Sequence, residues 1–443
     1  MGNEVHPERK YAGLERHGGL WVFLFSVLFF TICLEFMPDS VRQKSCSDCE
    51  GWYLPVAENL VAGNGLEVGV ERRPALDRPP GQVVLLAGLF WVLPNTLVDR
   101  ETAVYAYNIL LLALSCLILF SISKVYWGGR LALFTAAAWM SSPFVLWFLG
   151  QPYSEVPFFS ALFFAAWLML KSTNRGVSRY QLLGVGVALG VATLIRPIGV
   201  ALVVPFLIFF WIEHRPAACS SRIIGAVFLL SGYIATLTPW HLYLYEQKGE
   251  FVFLSDGAHA SRSIEEGFIF GLRSKEYKIE LNLAPDVNEF MEDIYAVIFM
   301  PEEGSDSLKI GNPANIYNPP STQKLLQVVY ERFVDDPTLA LRFFVLKLTR
   351  SWYGTDSHQN EDISRPLISG YLVLTVFGFW SVIKKSHTRR LGLFVLMITL
   401  YFWLFAFLFT PLVRYMIPAL GLHFLLIPAI INWVFQKKQM LND

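Results

Sequence analysis

Between Ser45 and Pro94 the chain gathers side chains that could do chemistry together. The centre reads Cys46-Ser47-Asp48-Cys49-Glu50-Gly51-Trp52-Tyr53, and the far end reads Asp77-Arg78-Pro79-Pro80-Gly81. Carboxylates such as Asp48 and Glu50, placed just before a short helix at a membrane surface, can take a proton from a hydroxyl or help hold a metal ion. Tyr53, Ala57 and Asn59-Leu60 supply that helix, and Gly63-Asn64-Gly65 stops it. Two cysteines cannot close a zinc site. In an oxidising compartment Cys46 and Cys49 predict a local disulfide that stiffens the acidic loop.

The elements that must position this loop are apolar. Of the 443 residues 54% are hydrophobic, 15% aromatic and only 16% charged, where a soluble domain carries about a quarter charged. Segments at 20–37, 102–123, 131–149, 155–170, 181–195, 198–212, 223–240, 367–383, 391–409 and 417–435 predict an all-α polytopic membrane protein with about ten transmembrane helices. The first is read as a retained helix, because no small-residue cleavage site follows it. Gln82–Pro94 is apolar but short, the length of an interfacial piece. The run Gln181–Trp211 is too long for one span and is broken at Arg196-Pro197 into two short helices. Net charge is zero and no stretch is basic enough to predict nucleic-acid binding.

Lysines and arginines fix the expected orientation. With Gln82–Pro94 at the interface, Arg9, Lys10 and Arg16 fall on one side, with Lys124 and Arg130. Lys171, Arg175, Arg179, Arg215 and Arg222 join them, as do Lys384, Lys385, Arg389, Arg390, Lys437 and Lys438. Both termini are then cytoplasmic. The predicted division is a membrane-embedded catalytic module at 1–240 with its first outer loop at 38–101, an extracytoplasmic segment with interfacial helices at 241–366, and C-terminal spans at 367–443. Helical stretches Ser321–Val334 and Pro337–Tyr353 are expected in the outer segment. Any chemistry is expected on the extracytoplasmic face of the cell (inner) membrane.

An acidic residue before Tyr53-Leu54, then Ala57, Asn59-Leu60, Gly63, Gly65 and Arg78-Pro79-Pro80-Gly81, resembles the polyprenyl-phosphate-sugar-dependent glycosyltransferases. These are the protein O-mannosyltransferase and aminoarabinose transferase relatives of the type C glycosyltransferase fold. Four later pieces agree in order: Tyr153-Ser154-Glu155, Leu194-Ile195-Arg196-Pro197, Pro239-Trp240 and Arg414-Tyr415.

The resemblance implies transfer of a sugar from a polyprenyl-phosphate donor to an extracytoplasmic acceptor (glycolipid, polysaccharide or protein hydroxyl), with inversion at the anomeric carbon. It places the base in the first outer loop. Relatives carry acids four and three positions before the tyrosine, where this chain has Cys49 and Glu50, so Glu50 is favoured by position and Asp48 remains its rival. Arg78 is the implied donor-phosphate contact. Arg196 is either a second contact or a snorkelling arginine, and Glu155 is the implied second carboxylate. A divalent metal is a candidate cofactor, with His259 and Glu50 or Glu155 as ligands. Tyr53 and Trp240 are candidate substrate-lining residues, although a tryptophan there is first an interfacial aromatic. The rival reading is a non-enzymatic lipid or solute transporter, or an assembly partner in polysaccharide export. Transporters place their acids inside the spans, whereas these collect in loops.

Overall fold

A computed structural model gives the architecture. It describes residues 12–42, 46–69, 71–171, 178–214, 218–255, 320–355, 361–384 and 386–442, with isolated positions between 264 and 294. Each of the ten apolar segments is helical. Among the described residues six helices are long and apolar enough to cross a membrane: His17–Glu35, Arg100–Trp127, Cys219–Lys248, Glu361–Ile383, Thr388–Leu408 and Val413–Phe435. The pair Gly129–Ser141 and Pro143–Leu149, bent by 54°, makes a seventh if it counts as one span. Shorter apolar helices cover Gly81–Val92, Glu155–Leu170, Arg179–Ile195 and Pro197–Glu213. The chain is a multi-pass helical membrane protein.

The chain divides into two compact units. The first comprises Met1–Asp256, Val373–Ile398 and Ile417–Asp443. Its elements up to the site's last contributor are α1 (Ala12–Glu35), α2 (Asp39–Arg42), a π-helical turn at Cys49–Tyr53 and α3 (Leu54–Val61). A two-stranded ribbon follows, β1 (Glu67–Val68) antiparallel to β2 (Arg73–Pro74). Then come α4 (Gly81–Val92), α5 (Arg100–Trp127), α6 (Gly129–Ser141), α7 (Pro143–Leu146), α8 (Glu155–Leu170), α9 (Arg179–Ile195), α10 (Val203–Glu213) and α11 (Cys219–Lys248).

Small residues set how closely these helices approach. A Cβ on Gly186 of α9 would lie 1.9 Å from the Leu229 carbonyl oxygen of α11, and one on Gly232 would lie 2.3 Å from that of Leu183. The two backbones are therefore in direct contact, as small residues permit between membrane helices. Nearby, Trp139 is fully buried with its ring edge-on to Phe159 and Phe163 at 5.1 and 5.3 Å. Its indole N–H donates to Ser115 Oγ at 2.8 Å, which satisfies the polar end that burial would otherwise strand. The helix containing Pro239-Trp240 does not stop there. It runs on to Lys248 and ends at Gly249, whose φ of 72° lies in the left-handed region that glycine occupies freely.

The second unit comprises Gly257–Leu372 and Thr399–Met416. Its helices include α12 (Pro320–Asp335) and α13 (Pro337–Arg350), on the two stretches expected to be helical. Asp336 caps α13 by accepting from the backbone N–H groups of Thr338 and Leu339 at 2.9 and 3.1 Å. Phe268, Phe290, Leu325 and Phe343 form its core.

Candidate active site

The first-loop acids sit on a braced turn. Cys46 and Cys49 are joined by a disulfide and are both buried. The π-helical turn begins at Cys49 and leads directly into α3, burying Trp52, Tyr53, Val56 and Ala57 against α4 and α5. Asp48 is thereby held at the head of the turn with its side chain half exposed. Glu50, two residues later, is exposed and accepts from the backbone N–H of Cys46 at 3.4 Å. The structure thus separates the two rival acids, and Asp48 faces Arg78.

Arg78 reaches Asp48 through Nη2 at 2.7 Å. Its Nη1 donates to Tyr53 Oη at 3.4 Å, and the guanidinium lies 5.5 Å from the centre of the Tyr53 ring. Burial works against the Arg78 charge, but Tyr53 and Asp48 outweigh it and hold the group more firmly protonated than an ordinary arginine. Tyr53 Oη in turn donates to Ser154 Oγ at 3.3 Å. Ser154 Oγ also accepts from Arg196 Nη1 at 2.9 Å, and the same Nη1 lies 2.6 Å from Glu155 Oε1. Asp48, Arg78, Tyr53, Ser154, Arg196 and Glu155 therefore form one polar circuit drawn from four stretches of the chain.

Why do these segments meet? Arg78-Pro79-Pro80 leads into α4 at Gly81, and a Cβ there would lie 2.6 Å from the carbonyl carbon and oxygen of Leu194. Only a residue without a side chain lets the start of α4 sit on the end of α9. That contact brings the loop ending in Arg78 to the end of α9, where Arg196 follows the last turn in extended conformation. The Glu155 end is fixed by polar groups inside apolar helices. Gln82 Nε2 donates to the Pro152 carbonyl at 2.8 Å, and Tyr107 Oη donates to Gln82 Oε1 at 3.2 Å. Asn108 Nδ2 donates to the carbonyls of Leu149 and Gln151 at 3.0 and 2.9 Å. Gln82 and Asn108 are fully buried and Tyr107 nearly so.

These three supporting residues are absent from the sequence-level candidates. Their signal is a polar side chain within an apolar helix, which is expensive in a membrane and so marks a specific partner. Trp240, by contrast, belongs to the packing behind the site. It is buried, stacks on Tyr243 at 5.5 Å, and donates to the Leu254 carbonyl at 2.9 Å within a cluster that seats Leu76. The structure places it under the Arg78 loop and not among the polar atoms of the circuit.

His259 lies outside the described residues. Among the described residues no group of three His, Cys, Asp or Glu side chains converges as a metal site requires. The acids of the circuit are turned to arginines, and Glu50 to a backbone amide. The donor set among the described residues does not gather the ligands of a divalent ion, and no step below passes through one.

Residues 77–243 match the family described as dolichyl-phosphate-mannose-protein mannosyltransferase. The matched stretch runs from the Arg78 loop through Glu155 and Arg196 to the Trp240 helix. The fold is that of the type C glycosyltransferases. It superimposes on the oligosaccharyltransferase AglB from Archaeoglobus fulgidus, solved with an inhibitory peptide and a dolichol-phosphate. The TM-score is 0.53 at 11% identity, covering 97% of this chain and 52% of that one. A second structure of the Archaeoglobus fulgidus oligosaccharyltransferase, tethered to an acceptor peptide, gives 0.55 at 12% identity over 97% and 51%. The chain thus spans about half the length of these enzymes. A looser superposition relates it to ArnT from Cupriavidus metallidurans bound to undecaprenyl phosphate, with a TM-score of 0.43 at 14% identity over 92% and 78%. No curated protein sequence matches.

Proposed function

We propose that this chain is a glycosyltransferase that moves a sugar from a polyprenyl-phosphate donor to an extracytoplasmic acceptor hydroxyl by a single inverting displacement. The observation that carries the reading is the circuit itself. It sets two guanidinium groups beside two carboxylates at the meeting point of three helix ends, and Arg78, Glu155 and Arg196 lie in the stretch that matches the mannosyltransferase family. Both termini lie in the cytoplasm and the circuit faces outward, as the distribution of lysine and arginine favours.

Each residue then has a task. Arg78 and Arg196 engage the donor phosphate, for which a guanidinium offers paired donors. Asp48 takes the proton of the acceptor hydroxyl as its oxygen bonds to the anomeric carbon. The bond from that carbon to the phosphate oxygen breaks, and its electron pair leaves with the lipid phosphate, where the arginines stabilise the charge. Glu155 acts through Arg196, which it orients. This assigns the base to Asp48 in place of Glu50, because Asp48 adjoins the phosphate-binding arginine and Glu50 is bonded back into its own loop.

The test is transfer by the purified, reconstituted chain from a panel of polyprenyl-phosphate sugars, with and without chelator. Asp48→Asn is expected to slow transfer by about 10²–10⁴-fold, the usual contribution of a general base, while Glu50→Gln keeps most of the rate. The reverse order returns the base to Glu50. A well-folded preparation that transfers from no donor favours the transporter reading instead.

A further inference from the structure

Tyr53 has no part in the chemistry just described, yet it occupies the middle of the circuit. Its hydroxyl accepts from Arg78 and donates to Ser154, and the same Ser154 oxygen accepts from Arg196. The phenol links the Arg78–Asp48 pair to the Arg196–Glu155 pair. We propose that Tyr53 is a positioning residue that joins the two pairs into one anion site. A lipid phosphate that takes Arg78 from Asp48 then also loosens Glu155 from Arg196. The proposal rests on the reading of the circuit as the donor-phosphate site.

Three observations support it. The carboxylates occupy the guanidinium positions that a phosphate would use, so the phosphate and the acids compete for the same donors. The Asp48 side chain is 49% exposed and its pair is correspondingly weak, which makes it the readily exchanged one. The Glu155 and Arg196 side chains are only 6% and 14% exposed, so their pair does not open unaided. A shared hydroxyl bridge lets the first exchange assist the second, since members of one hydrogen-bond network respond together. Donor binding thereby frees Asp48 beside the reacting carbon. The base is available when the substrate is present and covered when it is not.

The experiment measures undecaprenyl monophosphate binding to the full chain in nanodiscs. Parent, Asp48→Asn, Glu155→Gln and the double variant are compared, each with and without Tyr53→Phe. Phenylalanine keeps the buried ring and removes only the bridging oxygen. Asp48→Asn is expected to tighten binding about three- to tenfold, because a competing anion is gone. In the tyrosine background the double variant departs from the product of the single gains by at least about twofold, and Tyr53→Phe restores multiplicative behaviour. A departure that survives Tyr53→Phe, or gains that already multiply in the parent, overturns the coupling. Weaker binding by Asp48→Asn overturns the exchange and points to a cation held by that acid. A parent chain that binds no lipid phosphate sinks the donor-phosphate reading itself, a result distinct from the other two.

Discussion

Arg196 in the first unit and Lys347 in the second are buried cations accommodated by opposite means. In the first, Arg196 has a carboxylate at 2.6 Å and a hydroxyl at 2.9 Å. In the second, Lys347 of α13 is fully buried, donates to the Phe407 carbonyl at 2.9 Å, and stands 5.3 and 5.7 Å from the rings of Phe268 and Phe343. Arginine keeps its proton at any ordinary pH and must be compensated in place. Lysine escapes by releasing its proton, and burial pushes the Lys347 ammonium down to about 7. A permanently charged, hydrogen-bonded pair can exchange partners. A lysine that sheds its charge cannot serve as a fixed anion site.

The largest effect expected from breaking this contrast is at Glu155. Glu155→Ala leaves Arg196 buried without its acid and is expected to destabilise the chain by about 3–5 kcal/mol, seen as an earlier unfolding transition in detergent. A loss as small as that of a surface mutation would mean that the pair is not a compensated buried charge.

Gly81→Ala sharpens the same comparison by leaving every charge in place. The added methyl meets the Leu194 backbone, which overpacks the contact by about 1–3 kcal/mol. It should push Arg78 away from Arg196, so lipid-phosphate affinity falls along with stability. Unchanged affinity in a destabilised variant would show that the backbone contact does not align the arginines.

Lys347→Met is the mildest change and has the opposite sign. Below pH 7 folded and unfolded chains both carry the lysine proton, and the penalty of burying it is complete. From about 7 to the ordinary value of 10.5 the unfolded chain binds more protons than the folded one, so stability of the parent rises with pH. Lys347→Met is expected to stabilise by about 1 kcal/mol at pH 6, with an advantage that shrinks as the pH rises. Parallel stability curves for parent and variant would refute the neutral buried amine.

Much of the site is legible in the sequence because charge is scarce there. Asp48, Arg78, Glu155 and Arg196 stand out at the ends of apolar segments, and the structure joins all four. What the sequence hides is partnership. The positional argument for Glu50 rests on where relatives carry their acids before the tyrosine, and it does not show that the loop enters a π-helical turn in which Asp48 meets Arg78 and Glu50 accepts from Cys46 N–H. Gln82, Tyr107 and Asn108 read as stray polar residues in apolar runs until the turn at 149–152 is placed against them. The helices themselves follow from hydropathy, whereas the way Gly81 meets Leu194 depends on two backbones far apart in the chain. Trp240 reads as an interfacial aromatic or a substrate contact because sequence does not reveal that the helix continues beneath it to Lys248.

The four charged members of the circuit sum to zero. To an approaching anion, a self-neutralised site offers little long-range pull, since attraction and repulsion cancel beyond a few ångströms and salt screens what remains. Capture then depends on contact and not on steering. The rate at which such a site acquires a phosphate should change little with ionic strength, and its choice among anions should appear in how long each one stays.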